Sequence, residues 1–177
     1  EAVDDVLSVK LYAAEYGRAN TLFLVKDAPN FFRLMLFGDR ARIEQGAEVL
    51  IDLPQGVGDF GLIEQKETVT RDGAAYTRYH VPVTADKLGS MTRTVSHCAI
   101  TVWVDTGSIP ETGTIYYRAV ADGRAQEERQ AAVKVLPPMP DGELPKNFAN
   151  FYCWSAFGDV PEPLWPAVYD MLRKMGV

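Results

Sequence analysis

Two Asp-Gly pairs, Asp72-Gly73 and Asp122-Gly123, each stand between runs in which apolar residues recur at every second position. Asp and Gly tolerate the positive φ angles of tight two-residue turns, and a period of two separates the faces of a strand, so the combination predicts β-hairpins. Beyond the first pair, Thr77, Tyr79, Val81 and Val83 line one face of the returning arm. Ile115, Tyr117, Ala119 and Ala121 lead to the second pair, and Val133 and Val135 return from it. A helix has no use for this pattern, because alternate positions scatter around its circumference.

The same period runs through the rest of the first three-quarters of the chain. Leu7, Val9 and Leu11 alternate with Ser8 and Lys10, and residues 21–25 and 31–37 are apolar strand candidates joined through Ala28-Pro29-Asn30. Val49, Ile51 and Leu53 form another set, stopped by Pro54-Gln55-Gly56. Cys98, Ile100, Val102 and Val104 make a central strand, with Thr101 and Trp103 on its opposite face. Residues 126–132 are rich in helix formers, but so short a run after a tight turn does not carry a helix. Roughly eight or nine strands with short connections must pair two layers to bury their apolar faces. The expected fold is mainly β: a two-layer antiparallel β-sandwich, immunoglobulin-like or jelly-roll, over residues 1–136. A chain of 177 residues, 47% hydrophobic and 24% charged, is large enough for one such core and a small appendage.

At Pro137 the pattern changes. Pro137, Pro138, Pro140 and Pro145, with Gly142, read as a stiff connector over residues 137–146. Phe148–Trp154 is an aromatic strand candidate, and a helix is expected from Glu162 or Pro163 to Met175. Its Leu164, Val168, Met171 and Leu172 or Met175 recur at spacings of three and four; Arg173 and Lys174 fill the last turn, and Gly176 sits where a helix stops. A strand, loop, helix and glycine in this order open a β/α unit, which cannot bury its own faces. Residues 147–177 are therefore expected to be the start of a truncated β/α domain, with Phe148, Phe151, Trp154 and Leu164 covered by the sandwich or by a second copy. The alternative is a C-terminal helix that belongs to the sandwich and packs across it.

With 24 acidic against 18 basic residues and a net charge of −6, the chain has no global electrostatic case for nucleic acid. Its apolar runs are far shorter than the roughly 20 residues of a transmembrane helix. It contains no dinucleotide fingerprint, Walker loop or zincin motif and no Cys-x-x-Cys, so no catalytic residue, cofactor or metal site is expected. The glycines of Gly56-Val57-Gly58-Asp59-Phe60-Gly61 lack the Lys-Ser/Thr of a phosphate cradle and read as a loop. Cys98 and Cys153 are buried thiols or a disulfide pair. His80 shares a face with Tyr76 and Arg78, and His97 precedes Cys98 on the opposite face of its strand, which separates the two groups of a His–Cys pair. A small hydrolase built on His80 or His97 needs a carboxylate, such as Glu64, Glu67, Asp72, Asp159 or Glu162, at about 3 Å in a concave site. Trp154, Trp103, Tyr76 and Tyr116 are the candidate ligand-binding residues, since sugar rings stack on exposed coplanar aromatics. Trp154 follows a candidate parallel strand, where ligands of open α/β sheets sit; Trp165 on the helix is ambiguous between core and ligand contact.

The layout resembles that of bacterial multidomain carbohydrate-active proteins in which an N-terminal β-sandwich precedes a β/α barrel of glycoside-hydrolase type. The strand-rich first region, the Pro137–Pro145 connector and the run from Asn147 to Trp154 into Pro163–Gly176 carry that resemblance. It implies a noncatalytic accessory or scaffold module of a larger extracellular, periplasmic or envelope protein, with the catalytic acids on later barrel strands. Polysaccharide or the missing C-terminal domain would be its partner, with self-association through residues 147–177 as a further expectation. A carbohydrate-binding module with its own aromatic site is the second reading.

Overall fold

The computed structural model describes residues 8–11, 21–84, 88–90, 95–106, 112–138 and 160–174. Both Asp-Gly pairs form the turns expected of them. Asp72 and Gly73 take φ of 49° and 80°, and Asp122 and Gly123 take 53° and 68°. The first turn joins β5 (Lys66–Arg71) to β6 (Ala74–Val83), and the second joins β9 (Thr112–Ala121) to β10 (Arg124–Ala125). A Cβ added at Gly73 meets nothing within 4 Å, so the cost of Gly73→Ala is confined to its backbone. We expect about 1 kcal/mol, a Tm lowered by about 2–4 °C in a scanning calorimeter.

The remaining strands are β1 (Ser8–Leu11), β2 (Thr21–Val25), β3 (Asn30–Asp39), β4 (Ala47–Pro54), β7 (Gly89–Ser90), β8 (Val95–Val104) and β11 (Arg129–Leu136). One sheet has the order β1-β3-β8-β7; the other has the order β2-β11-β9-β4-β6-β5, with β10 beside β9. Alternation then decides the core. Phe32, Leu34 and Leu36 of β3 and Ile100, Val102 and Val104 of β8 face Val49, Ile51 and Leu53 of β4 and Ile115, Tyr117 and Ala119 of β9. All of them are buried in a single apolar cluster between the sheets. The chain is a β-sandwich, and Cys98 lies inside it. Cys153, the connector beyond Pro138 and the candidate strand Phe148–Trp154 lie outside the described residues.

Three details differ from expectation. The sheets are not wholly antiparallel: β2 pairs in parallel with β11, from Thr21 opposite Ala132 to Val25 opposite Leu136. The chain leaves β2 through a turn into β3 of the other sheet, so β2 has no hairpin partner and joins a strand from the far end of the fold. A short helix, α1 (Arg40–Glu44), carries the chain from β3 to β4. Asp39 caps it by accepting from the Arg42 N–H at 3.0 Å, Arg40 and Glu44 pair across one turn, and Ile43 is buried. Five residues are too few to show a helical period. Finally, β7 and β10 are two-residue strands that raise the number of described strands above the expected count.

The open edge of β2 is closed at one end by a side chain. Asn30 Oδ1 accepts from the Val25 N–H at 2.8 Å, and Asn30 Nδ2 donates to the Val25 and Ala28 carbonyls at 2.8 Å. The primary amide thus makes the donor–acceptor pair that a neighbouring strand would make. Thr106, itself buried, adds a hydroxyl donated to the Val25 carbonyl at 3.0 Å.

The expected C-terminal helix is present as a 3-10 turn, Glu162–Leu164, running into α2 (Trp165–Lys174). Leu164 and Val168 are buried against Trp103, with Val160 and Met171 packed around them. Of the four residues expected to be covered, Leu164 is covered by a sandwich side chain; Phe148, Phe151 and Trp154 lie outside the described residues.

Candidate functional site

Among the described residues, the outward face of the larger, seven-strand sheet carries the densest chemistry. In β4 the odd positions face the core, so Leu50 and Asp52 point the other way. Register places Asp52 between Arg78 of β6 and Tyr116 of β9, and Leu50 between His80 and Arg118. Asp52 should therefore be wet, yet it is only 2% exposed, because Arg78 of the neighbouring β6 and Arg71 at the end of β5 close over it. Arg78 grips it with both edges of its fork, Nε to Oδ1 at 2.7 Å and Nη2 to Oδ2 at 2.9 Å. Arg71 donates to it from Nε at 2.8 Å.

Arg71 also reaches the opposite way. Its Nη1 donates to Glu128 Oε1 at 2.8 Å and its Nη2 to Glu128 Oε2 at 2.5 Å. Arg118 Nη1 completes the cluster with a 3.1 Å bond to Glu128 Oε2. The Arg71 guanidinium lies 4.8 Å above the Tyr116 ring, whose hydroxyl donates to Asp72 at 3.3 Å. Burial alone would raise the pKa of Asp52, but the hydrogen bonds and charges of Arg78 and Arg71 outweigh it and hold the carboxyl below its ordinary value. The Glu128 bond, opposed by burial and joined by Asp52, keeps Arg71 firmly cationic.

His80 stands beside this network, with Nδ1 3.1 Å from Glu48 and Nε2 3.6 Å from Glu67. It forms part of the wall of a cavity of about 280 Å³ shared with Leu62, Ile63, Glu64 and Pro82. The glycine-rich segment nearby is an ordinary turn: Asp59 accepts from the N–H groups of Gly61 at 3.2 Å and Ile63 at 2.7 Å. Burial, helped by Asp59, pushes the Tyr79 hydroxyl up to about 12. Among the described residues no group of three or more His, Cys, Asp and Glu side chains converges for a metal. The side chain of His97 lies outside them.

The structure distributes the four candidate ligand-binding residues over separate places. Tyr76 and Tyr116 meet on the arginine face, with ring centroids 5.6 Å apart but planes at 65°, an edge-on contact and not a flat platform. Tyr76 is buried and Tyr116 half-buried. Trp103 is on the other sheet, tilted at 43° to Phe31 with centroids 5.0 Å apart, and buried beneath α2. Trp154 lies outside the described residues. Among the described residues the most exposed aromatics are Phe23 on β2 and Trp165 and Tyr169 on α2. Sequence reasoning missed Asp52, Arg71, Arg118 and Glu128. Asp52 had a signal, since a carboxylate within an apolar strand needs a cationic cover; Glu128, in a loop 57 positions from Arg71, had none.

No protein-family model and no curated protein matches the sequence. Among solved structures, the chain is similar to AggA, the major subunit of aggregative adherence fimbriae type I of Escherichia coli, at 12% identity and a TM-score of 0.30, covering 74% of this chain and 95% of that one. It is similar to the C-terminal domain of the Streptococcus agalactiae AgI/II polypeptide BspA at 7% identity and a TM-score of 0.34, covering 75% and 50%. A family 123 glycoside hydrolase from Clostridium perfringens follows at 6% identity and a TM-score of 0.34, covering 76% of this chain and 28% of that one. The chain thus spans half of the second protein and a little over a quarter of the third. These likenesses are loose, and the sandwich is established by its own strand pairing.

Proposed function

We propose that this chain is a noncatalytic accessory module, a β-sandwich that mounts a neighbouring domain of a larger extracellular or envelope carbohydrate-active protein. The observation that carries this reading is the seat of α2. Leu164 and Val168 bury themselves on Trp103, while Trp165 and Tyr169 stay 48% and 64% exposed on the outward side of the same helix. An element held by the sandwich on one side and aromatic on the other suits a seam between domains. In this reading residues 1–136 are the sandwich, 137–146 the connector and 147–177 the beginning of what the sandwich supports.

One observation favours a second reading, the histidine–carboxylate hydrolase: His80 and Glu48 lie 3.1 Å apart, and His80 walls the open cavity. Chromogenic glycosides and esters separate the two readings. The accessory module releases no chromophore above buffer, and His80→Gln and Glu48→Gln change nothing. Turnover in the purified chain that either substitution abolishes would transfer the function to that dyad.

A further inference from the structure

We infer that Arg71 and Arg118 form a carboxylate-binding site for an acidic sugar, a uronate within a glycan, which Glu128 of the same chain fills when no glycan is bound. Glu128 behaves like a ligand and not like part of the wall. It comes from the loop between β10 and β11, anchored by the Gln126 N–H donating to the Ala119 carbonyl at 2.8 Å. Its neighbours Glu127 and Arg129 are exposed, and only its own carboxylate reaches back over the sheet. Both its oxygens are taken by the Arg71 fork, the geometry with which arginine recognises a free carboxylate.

The arginines, by contrast, are fixed. Arg71 is held by Asp52 from one side and by the Tyr116 ring from below; Arg118 projects from the middle of β9. Arg118 is also short of acceptors. It gives Glu128 one bond, while its Nε–H is buried with no acceptor. A carboxylate turned toward Arg118 would satisfy what Glu128 leaves unmet. The site is within reach, since the side chains of Arg71, Arg118 and Glu128 are 21%, 26% and 29% exposed. With Glu128 swung aside, Arg71 and Arg78 keep Asp52, Arg78 keeps the more distant Glu67, and Arg118 loses its carboxylate. A cationic spot then opens on a chain whose net charge is −6.

The surroundings favour a sugar over an acidic peptide. Near the clamp stand a phenol, an amide and a carboxylate (Tyr116, Gln130, Asp72), which suit a polyhydroxylated ring. Among the described residues the large exposed apolar side chains of this sheet are Phe23, on β2 beyond β11, and Leu136, at the end of β11 past Gln130, so neither offers a peptide an apolar anchor at the clamp.

The test follows the Nε–Hε resonances of Arg71 and Arg118 in the full chain as trigalacturonate is added, with galactotriose and triglutamate at equal ionic strength as controls. Saturable shifts are expected with trigalacturonate alone. Glu128→Ala should tighten binding about tenfold by removing the internal competitor, and Arg118→Gln should abolish it in both backgrounds. Should Glu128→Ala fail to fold, Glu128→Gln takes its place with a smaller gain expected. The proposal is overturned by the absence of a saturable shift in the wild-type chain, by an equal response to triglutamate or galactotriose, or by binding that survives Arg118→Gln.

Discussion

Asp52→Asn should lower stability by about 3–5 kcal/mol at pH 7 and by progressively less as the pH falls below the unfolded value of 3.8. The substitution keeps the shape of the side chain but leaves Arg71 and Arg78 facing a neutral amide in a site that is almost closed to water. The pH dependence follows from the direction of the Asp52 shift. Its folded pKa lies below the unfolded value of 3.8, so its ionised form contributes fully above that value. The contribution is lost as the pH falls through the lower folded pKa. Urea unfolding of wild type and variant at several pH values should give curves far apart at neutrality that approach each other in acid. A constant gap across the range would mean that shape and not charge holds the site. Replacing Asp52 and Arg78 together by Leu and Met should cost less than Asp52→Asn alone, because no buried charge is then left without its partner.

The other large effect is expected at Trp103. Removing a buried indole costs about 3–5 kcal/mol where the surroundings cannot collapse, and here the ring joins two elements. Trp103→Ala strips the seat from Leu164 and Val168 and the neighbour from Phe31. We expect the loss to fall unevenly. Amide exchange around Val168 should lose its protection, while exchange at Val49 and Ile51, between the sheets, stays close to its wild-type rate. Equal loss at both places would show that the helix and the sandwich unfold as one unit, and the mounted-helix reading would have to be given up.

These two residues also mark how far the sequence could be read. Asp72-Gly73 and Asp122-Gly123 were legible because a turn is specified by the residues that make it. The face of Trp103 was legible from alternation, but its burial was not, since the cover comes from Leu164 and Val168, far along the chain. The arginine cluster was hidden for the same reason. Arg71 and Arg78 stand 19 and 26 positions from Asp52, and alternation says only that these side chains share a face, not that their forks will close on one carboxylate. The helix α1 was too brief to have a period. The parallel pairing of β2 was invisible because nothing local to Thr21–Val25 names a partner.

That pairing has a consequence for the birth of the molecule. Within its sheet β2 finds its partner among the described strands only in β11, about 110 residues later. A growing chain therefore exposes Leu22 and Leu24 through most of its synthesis, and closing so long a loop costs about 4 kcal/mol of chain entropy before any contact repays it. Antiparallel neighbours such as β5 and β6 can meet within a single hairpin, while β2 must wait until Leu136 has left the ribosome. Strand addition at this edge should be a late step in folding, and nascent chains stalled before Arg129 should be the ones that chaperones hold.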